Sequence, residues 1–312
     1  MNINTTVMGL NSPELLSQYM ATPKLSICIP AYNEEKNIEA LLLQILKQNI
    51  HSALLQEVIV EVSGSTDKTK AIVTDISYKY PIVKIIDVGK RDGIYNSLLR
   101  LIDESKGDYI VRIDADVTLR EGVIEKLIAP LANDLIGITG CKIVINNGRN
   151  SFVNKIVKTE YAIHNHVSCI SPKTTNIQAF KRTSGTLPKG FEVEDITLQN
   201  HILSKGYRAL HVDEELISIS PPDSLKALIL QRIRSINTQR HYAKRTGLHS
   251  PTQSIKLATR AIFNAILKHD VNMYPLFVFL LVESGAHVYS YTKELIFGND
   301  EYYIWDQVPG TK

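Results

Sequence analysis

The segment Lys24–Pro30, KLSICIP, opens the pattern that decides the fold. It is a short apolar run of strand length and is predicted to be a buried strand. The following segment, Glu34–Gln48, has apolar residues at helical spacing and is predicted to be a helix. The alternation continues with three more predicted strands and two more predicted helices: strands at Glu57–Ser63, Ile82–Val88 and Asp108–Ile113, and helices at 67–78 and 92–104. Short apolar strands that alternate with amphipathic helices indicate a mostly parallel sheet with helices on both faces. The sequence therefore predicts the α/β class.

The alternation becomes less regular after Leu135. The elements predicted there are a strand at Ile136–Ile145, a helix at 151–168, a short strand near 176–180, a loop with Gly185, Pro188 and Gly190, and a helix that opens near Glu194. From Ser224 the chain is predicted to be mainly helical, with breaks at Gly247–Pro251 and at Pro275. We expect three parts: an N-terminal extension (1–22), an α/β domain (23–223) and a C-terminal helical region (224–312).

The composition is that of an ordinary globular protein, with 44% hydrophobic and 21% charged residues. The net charge of +3 is too small to indicate a nucleic-acid partner. The three cysteines, Cys28, Cys141 and Cys169, lack metal-site spacing and favour a reducing compartment. No signal peptide is visible, and the apolar run Pro275–Val282 is too short to span a membrane. We therefore expect a cytoplasmic protein, with a peripheral position at the inner face of the cell membrane as an alternative.

Two carboxylates stand one residue apart at the end of a predicted strand, where Asp114-Ala115-Asp116 follows Tyr109–Ile113. Carboxylate oxygens suit a hard divalent cation such as Mg²⁺ or Mn²⁺. A cation held there can neutralise the charge that develops on a departing diphosphate. Taken alone, the same pattern is more often a solvated turn. The neighbouring motifs decide between the two interpretations.

Two further motifs carry acid–base and phosphate-binding groups. Glu194-Asp195 lies at the start of a predicted helix, where a carboxylate acts either as a general base or only as a helix cap. Gln231 and Arg234 are three residues apart on a predicted helix and share one face. The guanidinium there either pairs with a phosphate or belongs to a basic helix surface.

In their order along the chain, these motifs resemble those of the inverting family-two glycosyltransferases. The matching segments are Ile29–Glu35 (IPAYNEE), Ser63–Thr69 (SGSTDKT), Gly89-Lys90 followed by Asn96, the DxD motif at Asp114–Asp116, the ED motif at Glu194-Asp195, and Gln231 with Arg234 as the QxxR part of QxxRW. The resemblance implies a GT-A fold, which is Rossmann-like, with a C-terminal helical extension. It also implies a nucleotide-sugar donor, Mn²⁺ or Mg²⁺ as the cofactor, and a sugar, a lipid-linked sugar or another hydroxyl compound as the acceptor.

The resemblance assigns roles to individual residues. The residues expected to bind the nucleotide-sugar are Pro30, Ala31, Tyr32, Glu34, Ser63, Lys90, Asp114, Ala115 and Asp116. Asp116 and Asp114 are the expected metal ligands. Asp195 is the expected general base, and Glu194, Gln231 and Arg234 complete the catalytic set.

Two departures from the family pattern bear on the substrate. Val62 and Ser63 stand where the family usually has two acids, so the nucleotide base of the donor stays open. Ser235 replaces the Trp of QxxRW, and the membrane helices of the family's polymer-extruding members are not seen, which favours transfer of a single sugar over processive synthesis. A sugar-phosphate nucleotidylyltransferase is an alternative. Such an enzyme would be expected to have a glycine-rich loop after the first strand, whereas residues 31–35 at that position include no glycine. A catalytically inactive donor-binding scaffold is another, although it would be expected to have lost Asp116 or Asp195.

The segment Thr252–His269 is the predicted route to a membrane. It places Ile255, Ala258, Ile262 and Ile266 on one helical stripe, with Lys256, Arg260 and Lys268 outside the stripe. Together with the apolar segment after Pro275, it either completes the core of the α/β domain or lies in a bilayer interface. In the second case the basic residues would meet anionic headgroups.

Overall fold

The fold consists of eight strands and nine α-helices within residues 22–147, 151–183, 187–188 and 193–297, which the computed structural model describes. The strands are β1 (Lys24–Ala31), β2 (Leu54–Ser63), β3 (Val83–Val88), β4 (Tyr109–Ile113), β5 (Val117–Leu119), β6 (Ile136–Ile145), β7 (Ile177–Lys181) and β8 (Arg208–Ile219). The helices are α1 (Ile38–Leu46), α2 (Thr69–Lys79), α3 (Ile94–Glu104), α4 (Val123–Ile128), α5 (Ser151–Ile170), α6 (Glu194–Ser204), α7 (Leu225–Thr246), α8 (Ile255–Leu267) and α9 (Met273–Phe297). Almost all of the predicted N-terminal extension and most of the Gly185–Gly190 loop lie outside the described residues.

All eight strands form one sheet in the order β3-β2-β1-β4-β7-β6-β8-β5. The first four strands run parallel, with Ile27 at the centre opposite Val58 and Val111. β7 is antiparallel to both β4 and β6, and β8 runs parallel to β6 but antiparallel to β5. The predicted parallel sheet is confirmed in the first half and becomes mixed beyond β4. Because the carboxyl ends of β1, β2 and β4 lie side by side, the loops behind them meet at one edge.

The helices cover both faces of the sheet, as the alternation predicts. On one face α1, α2 and α4 bury their apolar stripes, with Leu41, Val73 and Leu127 among the core side chains. On the other face α3 and α6 pack through Leu98 and Ile202. Covering both faces explains why the central strands are continuous apolar runs instead of alternating ones.

Three elements of the structure are not predicted from the sequence: β5, α4 and β8. β8 is the largest of them, and its first half carries polar residues that are exposed or half-buried, so it lacks a strand's alternating pattern. Pro275 is predicted to break a helix, but it lies in the first turn of α9. A missing N–H costs no intrahelical hydrogen bond there, so proline is tolerated. The break lies instead between α8 and α9.

The C-terminal helices share a core with α5. Val153 and Ile156 of α5 pack with Ala261 of α8 and with Leu276 and Phe279 of α9. The predicted stripe on α8 is divided by this packing. Its members Ile262 and Ile266 lie against the shared core, whereas Ile255 is 84% exposed.

Candidate active site

The loops that follow β1 and β2 are hydrogen-bonded to each other. Asn33 Oδ1 accepts from the Thr66 N–H at 2.9 Å, and the Glu34 N–H donates to Thr69 Oγ1 at 2.7 Å. Gly64, at the end of β2, has a φ of +66°, and a Cβ there would lie 2.6 Å from the Arg91 backbone nitrogen. Glycine is therefore required at this position. These contacts fix the sheet edge to which the predicted donor-binding residues belong.

A cleft of about 380 Å³ opens along this edge. It brings together all the predicted site residues except Lys90: Pro30, Ala31, Tyr32, Glu34, Ser63, Asp114, Ala115, Asp116, Glu194, Asp195, Gln231 and Arg234 line it. Lys90 is exposed and outside the lining, and its carbonyl accepts from Ser63 Oγ at 3.3 Å. The next residue, Arg91, lines the cleft instead, with its guanidinium 4.2 Å from the centre of the Tyr32 ring. One face of Tyr32 is thus covered by a cation, although this ring was expected to meet the nucleotide.

Arg112 joins the two acidic motifs, and sequence analysis misses it. This side chain of β4 is only 1% exposed, and its Nη2 donates to Asp114 Oδ1 at 2.5 Å and to Glu194 Oε1 at 2.9 Å. Asn176 Nδ2 donates to the other oxygen of Asp114 at 3.1 Å. A single buried guanidinium therefore fixes the DxD and ED carboxylates relative to each other. The available signal was a charged residue inside an apolar strand, YIVRI, since buried charges are nearly always paired.

The site holds more negative than positive charge around this guanidinium. Burial, opposed by Arg112 and reinforced by the charges of Asp195 and Asp114, raises the pKa of Glu194 to about 7. Enclosure in the cleft, followed by the charge of Asp114, raises the pKa of Asp116 to about 6. Burial also raises the pKa of Asp114. The physical cause is the same in each case: carboxylates crowded into a low-dielectric cleft resist ionisation until a cation joins them.

The two acids of the ED motif have different environments. Glu194 is 8% exposed, and its carboxylate is bonded to Arg112. Asp195 is half-buried on the cleft wall, and its Oδ1 accepts from the Ile196 N–H at 2.7 Å. A general base must reach the proton that it removes. On this criterion Asp195 is available to a substrate, and Glu194 is occupied with holding Arg112.

Helix α7 supplies a polar stripe to the cleft. Gln231, Arg234, Ser235 and Thr238 follow one another at helical spacing, and all of them line it. Burial lowers the pKa of Arg234, while Glu194 acts in the opposite direction. The predicted common face of Gln231 and Arg234 is therefore present, and it extends one turn further than the sequence motif.

The far wall of the cleft consists of residues that no motif indicated. Helix α5 contributes Tyr161 and His164, and the loop before β7 contributes Lys173. Burial lowers the pKa of the Lys173 amine, against the attraction of Asp195. His166, two residues from His164, faces away from the cleft and lies 2.8 Å from Asp270 Oδ2. These residues come from segments that only the tertiary fold brings near Asp195.

Asp116 and Asp114 fit a hard divalent cation. Asp116 is open to the cleft, whereas both oxygens of Asp114 already accept bonds from Arg112 and Asn176. An all-carboxylate donor set with excess negative charge is the chemistry that Mn²⁺ and Mg²⁺ require. Asp116 is therefore better placed than Asp114 to contact a cation directly, and Asp114 lies where it could support it.

Comparison with known sequences supports the family resemblance. Residues 26–186 match the family described as Glycosyl transferase family 2. The dolichol-phosphate mannosyltransferase of Pyrococcus furiosus is 37% identical over 110 residues, which is 35% of this chain and 30% of that protein. The dolichyl-phosphate beta-glucosyltransferase of Homo sapiens is 33% identical over 121 residues, 36% of this chain and 37% of that protein. An N-acetylglucosaminyltransferase of Sinorhizobium fredii is 24% identical over 241 residues, 69% of this chain and 57% of that protein. The chain thus spans between 30% and 57% of these relatives' length.

Solved structures share the fold. The mannosyltransferase PcManGT from Pyrobaculum calidifontis, in complex with GDP-Man and Mn²⁺, has a TM-score of 0.58 at 19% identity, covering 91% of this chain and 85% of that chain. Glucosyl-3-phosphoglycerate synthase from Mycobacterium tuberculosis, in complex with Mn²⁺, UDP and glucosyl-3-phosphoglycerate, has a TM-score of 0.52 at 20% identity, covering 80% of this chain and 88% of that chain. The GT-A fold implied by the motifs is confirmed.

Proposed function

The chain belongs to glycosyl transferase family 2, and we propose that it transfers one sugar from a nucleoside-diphosphate sugar to an acceptor hydroxyl with inversion at the anomeric carbon. The observation that carries this proposal is the shared cleft of Asp116 and Asp195, whose motif partners Asp114 and Glu194 are joined by buried Arg112. This arrangement places a cation-binding carboxylate and a proton-accepting carboxylate around one cavity. A single in-line displacement needs both.

The donor would lie along the ends of β1, β2 and β4. Asp116, supported by Asp114, would hold Mn²⁺ or Mg²⁺, which supplies charge neutralisation for the departing diphosphate. Arg234 and Arg91 line the same cleft and provide guanidinium groups suited to phosphate oxygens. Tyr32 and Ser63 stand at the nucleotide end, where the Ser63 hydroxyl offers a hydrogen bond without charge.

Asp195 would take the proton from the acceptor hydroxyl as that oxygen attacks the anomeric carbon. Glu194 would act as a positioning residue, because its bond to Arg112 keeps β4 and the start of α6 at a fixed separation. Ser235 stands on the cleft wall at the position of the family's Trp. The smaller side chain is consistent with our proposal of single transfer.

The test is a panel of UDP-, GDP-, dTDP- and CDP-sugars with Mn²⁺, in which release of the nucleoside diphosphate and thermal stabilisation are both measured. One donor should raise the melting temperature and be turned over. Asp195→Asn should keep that stabilisation while turnover falls by about 10²–10⁴-fold, because proton acceptance is lost and shape is retained. Absence of both responses for every donor would sink the transferase proposal. Normal turnover by the variant would move the base elsewhere, with Glu194 the next candidate.

We further propose a lipid-linked acceptor at a membrane surface. Two of the relatives are named for dolichol phosphate or dolichyl phosphate. Lys173 lines the same cleft as Asp195, and the negative charge of Asp195 acts on the Lys173 amine. An ammonium group beside the proposed base suits an acceptor that carries a phosphate.

The outer surface of α8 and α9 supports the membrane part of this proposal. Thirteen large apolar side chains are exposed on these helices: Ile255, Phe263, Leu267, Met273, Tyr274, Phe277, Leu280, Leu281, Val288, Tyr289, Tyr291, Leu295 and Ile296. Phe263, Leu267 and Phe277 are each 61% exposed. Among the described residues, none of the helices combines the length and the hydropathy that crossing a bilayer requires.

The charges on this surface favour anionic lipid. The acids of α9 are engaged with the protein: Glu283 pairs with Arg232, and Glu294 pairs with Arg240. Lys256, Arg260 and Lys268 of the α8 segment are exposed. Exposed apolar groups beside exposed cations are the chemistry of an interfacial helix pair.

Flotation with vesicles tests the membrane proposal. Removing the helices is unsuitable, because Leu276 and Phe279 belong to the shared core. The double variant Phe263→Ser/Phe277→Ser keeps that core, and it should lose most of its flotation with phosphatidylserine-containing vesicles. Tyr78→Ser is the matched control, since Tyr78 is 83% exposed on α2, and it should float normally. Intact protein that stays soluble with these vesicles at low salt would refute membrane binding but leave the transferase proposal standing.

A further inference from the structure

A second group of metal-ligating side chains lies outside the candidate active site. His211 and Asp213 are two residues apart on β8, so they lie on one side of the strand, and Cys169 lies in the last turn of α5. One ligand atom from each of the three lies within 4.8 Å of the other two. Cys169 and Asp213 also line a separate cavity of about 330 Å³, which connects the group to solvent. None of the three side chains lines the active-site cleft.

The surroundings of His211 point to a ligand. Both of its ring nitrogens are shielded from solvent and have no hydrogen-bond partner in the described part of the chain. A neutral imidazole has one donor and one acceptor nitrogen, and burying either without a partner is costly. A metal ion bound to the acceptor nitrogen would remove part of that cost.

The ligand chemistry selects the metal. A thiolate, an imidazole and a carboxylate suit Zn²⁺, in contrast to the all-carboxylate set at Asp114 and Asp116. The Cys169 thiol lies close to the Asp213 carboxylate, and on metal binding it would release its proton to solvent. Lys142 and Lys268 lie near the thiol and oppose a cation, but Lys142 is offset by Glu215 at 3.6 Å.

We propose that Cys169, His211 and Asp213 bind one Zn²⁺ ion, with water at the fourth position. The ion would connect the C-terminal end of α5 to β8. This connection bears on the cleft because α5 also contributes Tyr161 and His164 to its far wall. The zinc proposal does not rest on the proposed transferase activity.

Cobalt spectroscopy distinguishes this site from the DxD site. Full-length Asp116→Asn protein, stripped of metal, is titrated with Co²⁺, which gives a near-ultraviolet thiolate charge-transfer band only when sulfur is a ligand. The band should appear with one equivalent of Co²⁺ and vanish when Cys169→Ser is added. Adding Cys141→Ala instead should leave it unchanged, because Cys141 is buried on β6 outside the group. A missing band, or a band that survives Cys169→Ser, would overturn the proposal.

Zinc affinity provides the second measurement. His211→Gln and Asp213→Asn should each weaken Zn²⁺ binding by at least about 10-fold, since changes to groups behind a metal's direct ligands already cost 10–100-fold. Competition with a chromophoric chelator gives the affinity, and circular dichroism verifies that each variant is folded. Wild-type affinity in both folded variants would exclude these residues as ligands. If one variant does not fold, the other and the cobalt band still decide the outcome.

Discussion

Replacing Arg112 with Met tests whether this side chain joins the two halves of the site. The substitution removes the shared donor of Asp114 and Glu194 and puts an apolar side chain in its place. Breaking a buried ion pair by removing one partner costs about 3–5 kcal/mol, because the remaining charge stays buried and uncompensated. Glu194 already has a pKa raised to about 7, so it escapes part of this cost by binding a proton. We therefore expect a loss of about 3 kcal/mol in the free energy of unfolding at pH 8.5.

The pH dependence has a defined sign. A carboxyl group whose folded-state pKa is raised destabilises the protein as pH rises from its unfolded pKa to its folded pKa. For Glu194 in the wild type this window runs from 4.5 to about 7. Arg112 lowers that folded-state pKa, so its removal extends the window above pH 7. The difference in unfolding free energy between wild type and variant should therefore increase from pH 6 to pH 8.5.

Urea unfolding of both proteins at pH 6 and pH 8.5 measures this difference. Arg120→Met is the control, because Arg120 is 55% exposed and only 3.3 Å from Glu215, and exposed pairs contribute less than about 1 kcal/mol. A loss below about 1 kcal/mol in Arg112→Met at pH 8.5 would refute the argument. A difference that decreases with rising pH would refute it as well.

Three further changes have defined outcomes. Asp116→Asn should abolish Mn²⁺ binding to the cleft in calorimetry, because an amide supplies no charge, and affinity within twofold of wild type would exclude Asp116 as the ligand. In the wild type, Mn²⁺ affinity should fall by roughly tenfold for each pH unit below the Asp116 pKa of about 6, because a proton and the metal compete for the same carboxylate. An affinity that does not change between pH 5 and pH 6 would contradict this. Gly64→Ala should lower the free energy of unfolding by about 1–3 kcal/mol, because of backbone strain and because the new Cβ would lie close to the Arg91 backbone. Gly122→Ala, which also has a positive φ but nothing within 4 Å of the new Cβ, should lose less. Equal losses would show that the contact with Arg91 is unimportant.

The strand ends of the site could be predicted from the sequence because local rules govern them. The turn after β1, the loop after β2 and the carboxylates after β4 all follow apolar strands, and parallel strands bring such ends to one edge. Lys90 shows the limit of this reasoning. Its motif position was reasonable, but the chain turns so that the Lys90 carbonyl bonds to Ser63 and the Arg91 side chain enters the cleft.

What could not be predicted depends on long-range pairing. The role of Arg112 could be predicted only if it were known that β4 lies next to the start of α6. Similarly, Lys173 reaches the cleft only because β7 pairs with β4. β8 escaped prediction because its polar first half is exposed or half-buried, and it has no alternating pattern to detect. For Arg112 and Lys173 the deciding contact joins segments far apart in sequence, and no local propensity encodes it.

The far wall of the cleft depends on α9, the last helix in the described part of the chain. Arg232 is the neighbour of Gln231 on α7, and its guanidinium donates to Glu160 of α5 at 2.5 Å and to Glu283 of α9 at 2.8 Å. All of these pairs are largely buried, so removing either acid would leave the cation poorly compensated. The family match ends at residue 186. Gln231 and Arg234 lie beyond it, and so do Arg232 and Glu283. Only Glu160 lies within it. The DxD motif therefore lies within the matched region, whereas the α7 residues of the cleft lie beyond it. Through Arg232, α7 is paired with α9, which carries much of the apolar surface proposed to meet the membrane. Since α9 contributes both Glu283 and much of that surface, binding of the protein to a bilayer as proposed would involve the same helix that holds Arg232 next to the far wall of the cleft.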